Sequence, residues 1–228
     1  VSRGLGDVYK RQVYAMRGGA QAVHSVDSSA KAIELTNRNV ALNFPGDARH
    51  EAFCDDAFKY LDANDKKYDL IILDPPAFAK HRAALHNALK GYTRLNVKGF
   101  ERIKPGGILF TFSCSQVVTK DNFRNAVFTA AAQAGRKVRI LHQLHQPADH
   151  PINIYHPEGE YLKGLVLYVE KEVSQFIAAH DLLSPGDTHL IALSGGADSV
   201  CLLLVLRRLG YQVCLLYTSP SPRDTERS

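Results

Sequence analysis

Strand-like and helix-like segments alternate along the chain from about residue 22. Short apolar runs such as "AVHSVD" and "YDLIILD" are separated by amphipathic stretches such as "SSAKAIELTNRNVAL" and a long one at about 82–103, which "KPGG" ends. Helical crossovers of this kind join parallel strands, so the alternation predicts an α/β fold with a doubly wound, mostly parallel sheet. We expect the later run "YLKGLVLYVEK" to close this sheet as an antiparallel edge strand.

Composition narrows the class of protein. No apolar run approaches the roughly 20 residues of a membrane span and no signal peptide is recognisable, so we expect a cytoplasmic protein. The four cysteines show no Cys-x-x-Cys spacing, and the histidines between residues 142 and 156 match no strong ligand pattern. These spacings argue against a disulfide framework and a metal site. The formal net charge of +5 fits a polyanionic partner.

The strand and helix pattern restarts after Lys171, with a predicted helix at 172–180, a strand "HLIAL", a glycine-rich loop and an apolar helix. We therefore place a domain boundary at 171–172. The two ends of the chain lack core-forming periodicity, and one short DNA sequence read in opposite directions encodes text resembling both. We interpret the ends as translated adapter sequence and the middle as a fragment of two neighbouring genes. The segments are 1–12 (adapter), 13–171 (first domain), 172–213 (second domain) and 214–228 (adapter).

Acidic residues follow two of the predicted strands. Asp27 ends "AVHSVD", where a carboxylate in a doubly wound nucleotide site accepts hydrogen bonds from ribose hydroxyls. Asp55 and Asp56 end the next strand, where one carboxylate is suited to an adenine amino group. The alternative is that these residues cap the following helices, a role that Ser28 or Ser29 fills equally well after the first strand.

The segment "DPPAF" follows the buried strand "YDLIIL". The prolines cannot continue the strand, so it ends at Asp74, at the carboxyl edge where open α/β sheets bind ligands. The Asp74 carboxylate, the backbone carbonyl beside Pro75 and the ring of Phe78 are the groups needed to grip a flat base. The alternative is a helix cap followed by a rigid turn.

Cys114 comes at the end of the next strand, "ILFTFSCSQ", so we expect its thiol beside Asp74 as covalent catalysis requires. A lone cysteine is more often an inert core residue, but the polar neighbours Ser113, Ser115 and Gln116 argue against deep burial. A basic row on the long helix either contacts phosphates or forms a solvated face. The row consists of Lys90, Arg94, Lys98 and Arg102.

With these motifs assembled, the segment from about 13 to 170 resembles the bacterial large-subunit rRNA cytosine-5 methyltransferases of the class I S-adenosylmethionine-dependent group. The resemblance rests on "VDSSAKAIELTNRNVALN", "DDAF", "DPPAFAK", "GYTRLN", "GGILFTFSCS" and "QPADHPINIYHPEGEYLKG". Family members also have a first strand and a glycine-rich loop that wraps the cofactor, preceded by an RNA-binding domain. Only "VYAMRGGA" remains of that part, so we expect a sheet without its first strand and weak cofactor binding.

The resemblance implies that Cys114 adds to C6 of cytosine and that Asp74 engages the base and supports the charge that develops around N3. Asp27 is implied to hold the cofactor ribose and Asp56 its adenine. A second cysteine beside the proline of the motif is absent, and the base that removes the C5 proton is not identified. The implied cofactor-binding residues are Asp27, Ser28, Asp55, Asp56, Ala57, Asp74 and Pro75. The implied substrate-binding residues are Pro76, Phe78, Lys90, Arg94 and Lys98, with ribosomal RNA as the partner.

The later segment "HLIALSGGADSVCLLLVLRRLGYQV" is similar to the start of the tRNA(Ile)-lysidine synthetases. This resemblance implies a PP-loop for ATP and a tRNA partner. Glycines in such a loop let backbone N–H groups approach phosphate, and the alternative is a glycine-rich turn without function. The implied ATP-binding residues are Ser194, Gly195, Gly196, Asp198 and Ser199.

Two other functions remain compatible with the sequence of the first domain. Asp-Pro-Pro-aromatic segments also suit methylation of an exocyclic base nitrogen, for which Cys114 is dispensable. The segment is also compatible with a non-catalytic RNA-binding fragment, in which only the basic row matters. The modified nucleotide and the oligomeric state lie beyond the sequence.

Overall fold

The computed structural model describes residues 11–79, 81–148, 151–156, 159–171, 176–178, 180–184, 186–193 and 197–217. The chain divides into two compact units, Val1–Val169 and Glu170–Ser228, close to the boundary predicted at 171–172. No helix in the described ranges is both long and apolar enough to span a membrane.

Strands and helices alternate in the first unit, which confirms the predicted α/β class. In chain order its elements are α1 (Arg11–Arg17), β1 (Val23–Asp27), α2 (Ala30–Asn43), β2 (His50–Cys54), α3 (Ala57–Ala63), β3 (Tyr68–Leu73), a 3-10 turn (Arg82–Ala84), α4 (Leu85–Arg102), β4 (Ile103–Ser113), α5 (Lys120–Gln133), β5 (Val138–Leu144) and β6 (Lys163–Val169).

The strands of the first unit form two sheets. β1 pairs in parallel with β2, and the other four strands form a sheet in the order β3-β4-β6-β5. β3 and β4 are parallel, whereas β6 runs antiparallel to both β4 and β5. Among the described residues no strand pairs with both β1 and β3, so the predicted sheet, for which we expect no first strand, is divided between these two strands.

The position of β6 corrects one expectation. β6 is antiparallel as predicted, but it lies inside the sheet and not at its edge. Because β6 pairs with a strand on each side, its apolar run is almost entirely buried. β5 is largely exposed and forms the edge of the sheet. The long helix ends at Arg102, close to its predicted end, and Ile103 alone separates it from "KPGG". These four residues belong to β4, whose register with β3 shifts between Tyr68 and Leu70.

Helices α4 and α5 cover the four-stranded sheet with a common hydrophobic core. Tyr92 and Phe100 of α4 and Phe123 of α5 are fully buried, together with Leu109 of β4. The tyrosine hydroxyl accepts a hydrogen bond from Ser113 at 2.9 Å, so its polar end is satisfied in the interior. Burial of such large side chains contributes about 1.5–3 kcal/mol each and holds the end of β4 against α4.

A polar cluster connects the two sheets. The Nδ1 atom of His24 in β1 lies 2.7 Å from the hydroxyl of Tyr60 in α3 and 3.1 Å from the hydroxyl of Tyr68 in β3. Asn64 donates to the Tyr68 hydroxyl at 2.8 Å. Burial, followed by the charge of Lys66, lowers the pKa of His24. These contacts join β1 to β3 through side chains where backbone pairing is absent.

The second unit contains the parallel strands β7 (Thr188–Leu193) and β8 (Gln212–Tyr217) and the intervening helix α6 (Ala197–Arg208). Asp198 and Ser199 lie in the first turn of α6, whereas Ser194, Gly195 and Gly196 lie outside the described residues. Residues 214–217, which the sequence assigned to an adapter segment, form the greater part of β8. That assignment stays a prediction, as does the helix at 172–180, of which 172–175 and 179 are not described.

Candidate functional site

Asp74 and Cys114 lie together at the carboxyl edge of the four-stranded sheet. Leu73 pairs with Thr111 in the parallel register of β3 and β4, so both strands end at the same edge. The Cys114 thiol donates to the carbonyl oxygen of Pro75 over 3.9 Å. The loop after β3 and the thiol after β4 are thus adjacent, in the arrangement that the strand pattern predicts.

Cys114 is half-buried, in agreement with the argument against deep burial, although of its three polar neighbours only Gln116 is exposed. Ser113 and Ser115 are fully buried, and the Ser115 hydroxyl donates to the carbonyl of Ala79 at 2.5 Å. Because alternate residues point to opposite sides, these satisfied serines face inward and Cys114 faces the loop. Burial and then the charge of Asp74 raise the pKa of the thiol, whereas Lys163 lowers it.

The Asp74 carboxylate pairs with Arg11. The guanidinium Nη2 atom lies 2.6 Å from Oδ2 of Asp74, and the same guanidinium lies 5.9 Å from the centre of the Phe112 ring. Arg11 belongs to the segment interpreted as adapter sequence, so its contact with a candidate base-binding carboxylate was not foreseen. A ligand that uses Oδ2 of Asp74 has to share this oxygen with Arg11 or displace it.

The aromatic side chain of the motif is partly committed to packing. The Phe78 ring centre lies 4.6 Å from that of Tyr92, and a Cβ at Gly91 would lie 3.0 Å from a Phe78 ring carbon. Phe78 is half-buried against α4, so less of its ring is open to a base than the sequence suggests. Pro76 is exposed beside it.

Three carboxylates gather at the carboxyl edge of the β1–β2 sheet. Asp27 pairs with Cys54 at the strand ends, and its Oδ1 accepts from the Ser29 amide at 2.7 Å. Asp56 caps α3 by accepting from the amides of Phe58 and Lys59, while Asp55 accepts from the amide of Asp56. Ser29, and not Ser28, caps α2. The capping alternative therefore holds for Asp56 and, after the first strand, for Ser29.

The same carboxylates fit the nucleoside end of S-adenosylmethionine. In the described part of the chain, every hydrogen bond that the side chains of Asp27, Asp55 and Asp56 accept goes to Oδ1. Oδ2 of each is therefore available to accept from a ribose hydroxyl or an adenine amino group. Ala57, the first residue of α3, and Ser28 lie at the same edge.

The basic row divides into two parts. Lys90 and Arg94 line a groove of about 630 Å³ whose walls come from α4 and α5, and Arg94 also lies 4.2 Å above the Phe58 ring. Lys98 pairs with Asp62 at 2.9 Å and Glu101 at 3.1 Å. The groove-lining residues do not include Asp74 or Cys114, so the structure does not bring the basic row to the thiol.

Sequence reasoning missed Lys163, which lies on the other side of Cys114. The lysine is buried, and its Nζ donates to the Ser115 carbonyl at 2.5 Å. The available signal was a lysine directly before the buried run "GLVLYV", where a charged residue needs a specific partner. Among the described residues, no group of three His, Cys, Asp or Glu side chains is placed to hold a metal ion.

Residues 10–140 match the family model of the methyltransferase small domain. The chain belongs to this family. Two curated relatives are both Ribosomal RNA large subunit methyltransferase I. The relative from Alteromonas mediterranea is 43% identical over 68% of this chain and 40% of its own length. The relative from Tolumonas auensis is 44% identical over 68% of this chain and 40% of its own length.

The fold of this methyltransferase small domain is also similar to a solved structure. The crystal structure of SMU.776, a protein described as a methyltransferase and complexed with SAH, aligns with a TM-score of 0.60 and 26% identity. The match covers 69% of this chain and 42% of that chain. The chain thus spans about 40% of the length of the curated relatives it matches.

Proposed function

We propose that the first unit is the catalytic part of an S-adenosylmethionine-dependent methyltransferase that modifies C5 of cytosine in large-subunit ribosomal RNA. The observation that carries the proposal is the Cys114 thiol, which lies against the Pro75 carbonyl beside Asp74 at one sheet edge. Membership of the methyltransferase small domain family supports the methyl transfer. The names of the curated relatives support the RNA substrate.

The chemistry explains why a thiol is needed. C5 of cytosine is a poor nucleophile until the Cys114 thiolate adds to C6, which makes C5 resemble an enamine carbon. Thiolate addition places charge on N3, which takes up a proton from water, and the Asp74 carboxylate accepts a hydrogen bond from the resulting N3–H, a preorganised electrostatic role. Bound S-adenosylmethionine supplies the electrophilic methyl group. Loss of the C5 proton then lets the Cys114 sulfur leave with its bonding electrons.

The remaining candidate residues divide by the part of the ligands they would contact. Asp27, Asp55 and Asp56 would accept from the ribose and adenine of the cofactor, with Ser28 and Ala57 alongside. Pro76 and Phe78 would lie beside the base, and Pro75 would lie at the edge of the base. Lys90 and Arg94 would contact RNA phosphates from the groove between α4 and α5, where Lys98 contributes less because two carboxylates neutralise it.

Two alternatives differ from this proposal in the use of Cys114. Methylation of an exocyclic nitrogen would use the Pro75 carbonyl as an acceptor and leave Cys114 idle. A non-catalytic RNA-binding fragment is favoured by the Arg11–Asp74 pair, since the carboxylate is already occupied. Of these two alternatives, only methylation of the exocyclic nitrogen requires the cofactor.

The test is a methyl-transfer assay on unmodified large-subunit rRNA with labelled S-adenosylmethionine. We would assay the present chain and the same chain extended at its N terminus with the corresponding segment of the Alteromonas mediterranea relative. We expect label on C5 of cytidine with the extended protein and loss of transfer in its Cys114→Ala variant.

Each other outcome identifies an alternative. Equal transfer with and without Cys114, with the methyl group on nitrogen, would replace the covalent mechanism with exocyclic methylation. Binding of rRNA by both proteins without transfer or cofactor binding would indicate an RNA-binding fragment. A Cys201→Ala variant is the matched control, because this exposed cysteine lies on α6 of the second unit and has no assigned role.

We also propose that residues 172–213 derive from an ATP-dependent tRNA-modifying enzyme of the lysidine synthetase kind. The support is the Ser-Gly-Gly-x-Asp-Ser motif between β7 and the start of α6. ATP titration of the chain, with and without Ser199→Ala, tests this assignment. Binding that the substitution weakens is expected, and absence of ATP binding in the unsubstituted chain would contradict it.

A further inference from the structure

Lys163 is a buried lysine that the proposed reaction has not yet used. It is the first residue of β6, and the antiparallel register places it opposite Ser113, the last residue of β4. Its Nζ atom donates to the carbonyl of Ser115 at 2.5 Å, so it is attached to the backbone on the far side of Cys114. A buried ammonium group is costly unless hydrogen bonds and opposite charges compensate it. A lysine at this position therefore calls for a reason beyond packing.

Opposing influences act on the Cys114 thiol. Burial and the Asp74 carboxylate both raise its pKa, which disfavours the thiolate that nucleophilic attack requires. The backbone N–H groups of Cys114 and Ala77 lower the pKa, and so does the charge of Lys163. Of the groups that act on the pKa of Cys114, Lys163 is the one with a cationic side chain.

Charged groups of both signs also surround Lys163. Burial lowers the pKa of its ammonium group, Cys114 and Glu160 raise it, and Lys120 lowers it. Lys120 pairs with Glu160, so part of its repulsion is neutralised. The charged or titratable groups that face this pair from the surrounding elements are Arg11, Asp74, Tyr92, Lys120, His145 and Glu160.

We propose that Lys163 is a positioning residue for Cys114, whose ammonium group holds the 113–115 backbone and supplies the positive charge that favours the thiolate. The inference rests on the proposed role of Cys114 as the nucleophile. The step is a proton equilibrium in which the S–H proton passes to water and sulfur keeps the electron pair. Lys163 forms no covalent bond and does not touch the RNA base.

The pH dependence of Cys114 alkylation tests this role in the full chain, without RNA or cofactor. Iodoacetamide reacts with thiolates, and mass spectrometry of the Cys114 peptide separates its rate from those of the three other cysteines. We expect Lys163→Gln, which keeps a hydrogen-bond donor but loses the charge, to raise the midpoint pH and to slow alkylation near pH 8 by about threefold or more, equivalent to half a pKa unit. Lys163→Arg keeps the charge and should keep the midpoint.

Matched controls separate charge from general damage. Lys104→Met removes an exposed lysine of β4, the strand that precedes Cys114. Lys104 pairs with Asp69, and its loss should leave the Cys114 midpoint unchanged. The exposed Cys54, Cys201 and Cys214 are internal standards whose midpoints should not move in any variant. Lys163→Met provides a second neutral variant if the glutamine variant unfolds, as judged by its melting curve.

An unchanged midpoint in a folded neutral variant would overturn the proposal. A rate change that is equal at every pH would also overturn it, because that pattern reports altered access and not altered ionisation. Since alkylation involves neither RNA nor S-adenosylmethionine, the result stands apart from the methyl-transfer assay. A midpoint shift together with absent methyl transfer would support the Lys163 role while rejecting the proposed function.

Discussion

Asp74 disfavours the thiolate form of Cys114 but is proposed to favour the reaction of the substrate. Its negative charge raises the pKa of the thiol, second only to burial, and so disfavours the nucleophile. The proposed contact with the pyrimidine favours the reaction. The pair with Arg11 shields that charge in the free protein. Removing the carboxylate should therefore separate thiol reactivity from methyl transfer.

We expect Asp74→Asn to increase the alkylation rate of Cys114 near neutral pH, because the neighbouring anion is gone. The same change should reduce methyl transfer in the extended protein by about 10²-fold, as for loss of one preorganised electrostatic contact. Alkylation kinetics and the rRNA assay measure the two effects. Asp69→Asn, an exposed carboxylate on β3, is the control that should alter neither. Unchanged methyl transfer would show that Asp74 does not engage the base.

Some residue positions could be predicted from the sequence and others could not. The neighbourhood of Asp74 and Cys114 follows from two parallel strands that end at one edge, a local pattern that extends to tertiary structure. Lys163 lies 48 residues from Ser115 in the chain, and Arg11 lies 63 residues from Asp74. Contacts over such separations depend on strand order and on helix placement, which residue patterns alone do not give.

The central strand β6 determines how the end of β4 is held. It pairs with β4 on one side and β5 on the other, and it contributes both Lys163 and the close approach at Gly164. A Cβ at Gly164 would lie 2.6 Å from a ring carbon of Phe112 and 3.0 Å from the Cβ of Leu144. Only glycine fits between these side chains without displacement of a neighbour.

Gly164→Ala should destabilise the first unit by about 1–3 kcal/mol, the usual cost of overpacking a well-packed interior. Urea unfolding measured by circular dichroism gives the free energy of unfolding. Gly159→Ala is the matched control, because among the described residues a Cβ there would meet only a side-chain carbon of Ile152 at 3.9 Å. Equal stability of the two variants would contradict the central position of β6.

The polar cluster between the sheets gives the first unit a pH dependence. Burial lowers the pKa of His24 and of His50, so both are held neutral when folded. The unfolded chain takes up protons as the pH falls through about 6.5, whereas the folded chain resists until lower pH. Stability conferred by the neutral histidines is thus present above about pH 6.5 and is lost as the pH falls toward the lower folded pKa.

We expect His24→Asn to flatten the decrease in unfolding free energy between about pH 6.5 and pH 5, since one proton-binding difference is removed. The variant should also be less stable near pH 7.5, because the contacts with Tyr60 and Tyr68 are lost. Thermal melts over this range measure both effects. His86→Gln, at an exposed histidine, is the control and should leave the pH slope of stability unchanged. An unaltered slope in His24→Asn would contradict the lowered pKa of His24.

At the scale of the whole molecule, the chain joins two compact units, and it matches about 40% of the length of its curated relatives. The α/β class was predictable because hydrophobic periodicity is local. The division into two sheets depends on which strands find partners, so periodicity alone did not indicate it. The side-chain cluster at His24, Tyr60 and Tyr68 takes the place of a backbone connection between these sheets.

The covalent intermediate is the central claim, and trapping it is its most direct test. Large-subunit rRNA that carries 5-fluorocytidine keeps fluorine where the C5 proton must leave, so an adduct formed by Cys114 cannot be released. We would incubate the extended protein with this RNA and S-adenosylmethionine and identify the modified peptide by mass spectrometry. The account predicts a stable protein–RNA adduct at Cys114 that is absent from Cys114→Ala. Methylated RNA without any adduct at Cys114 would contradict it.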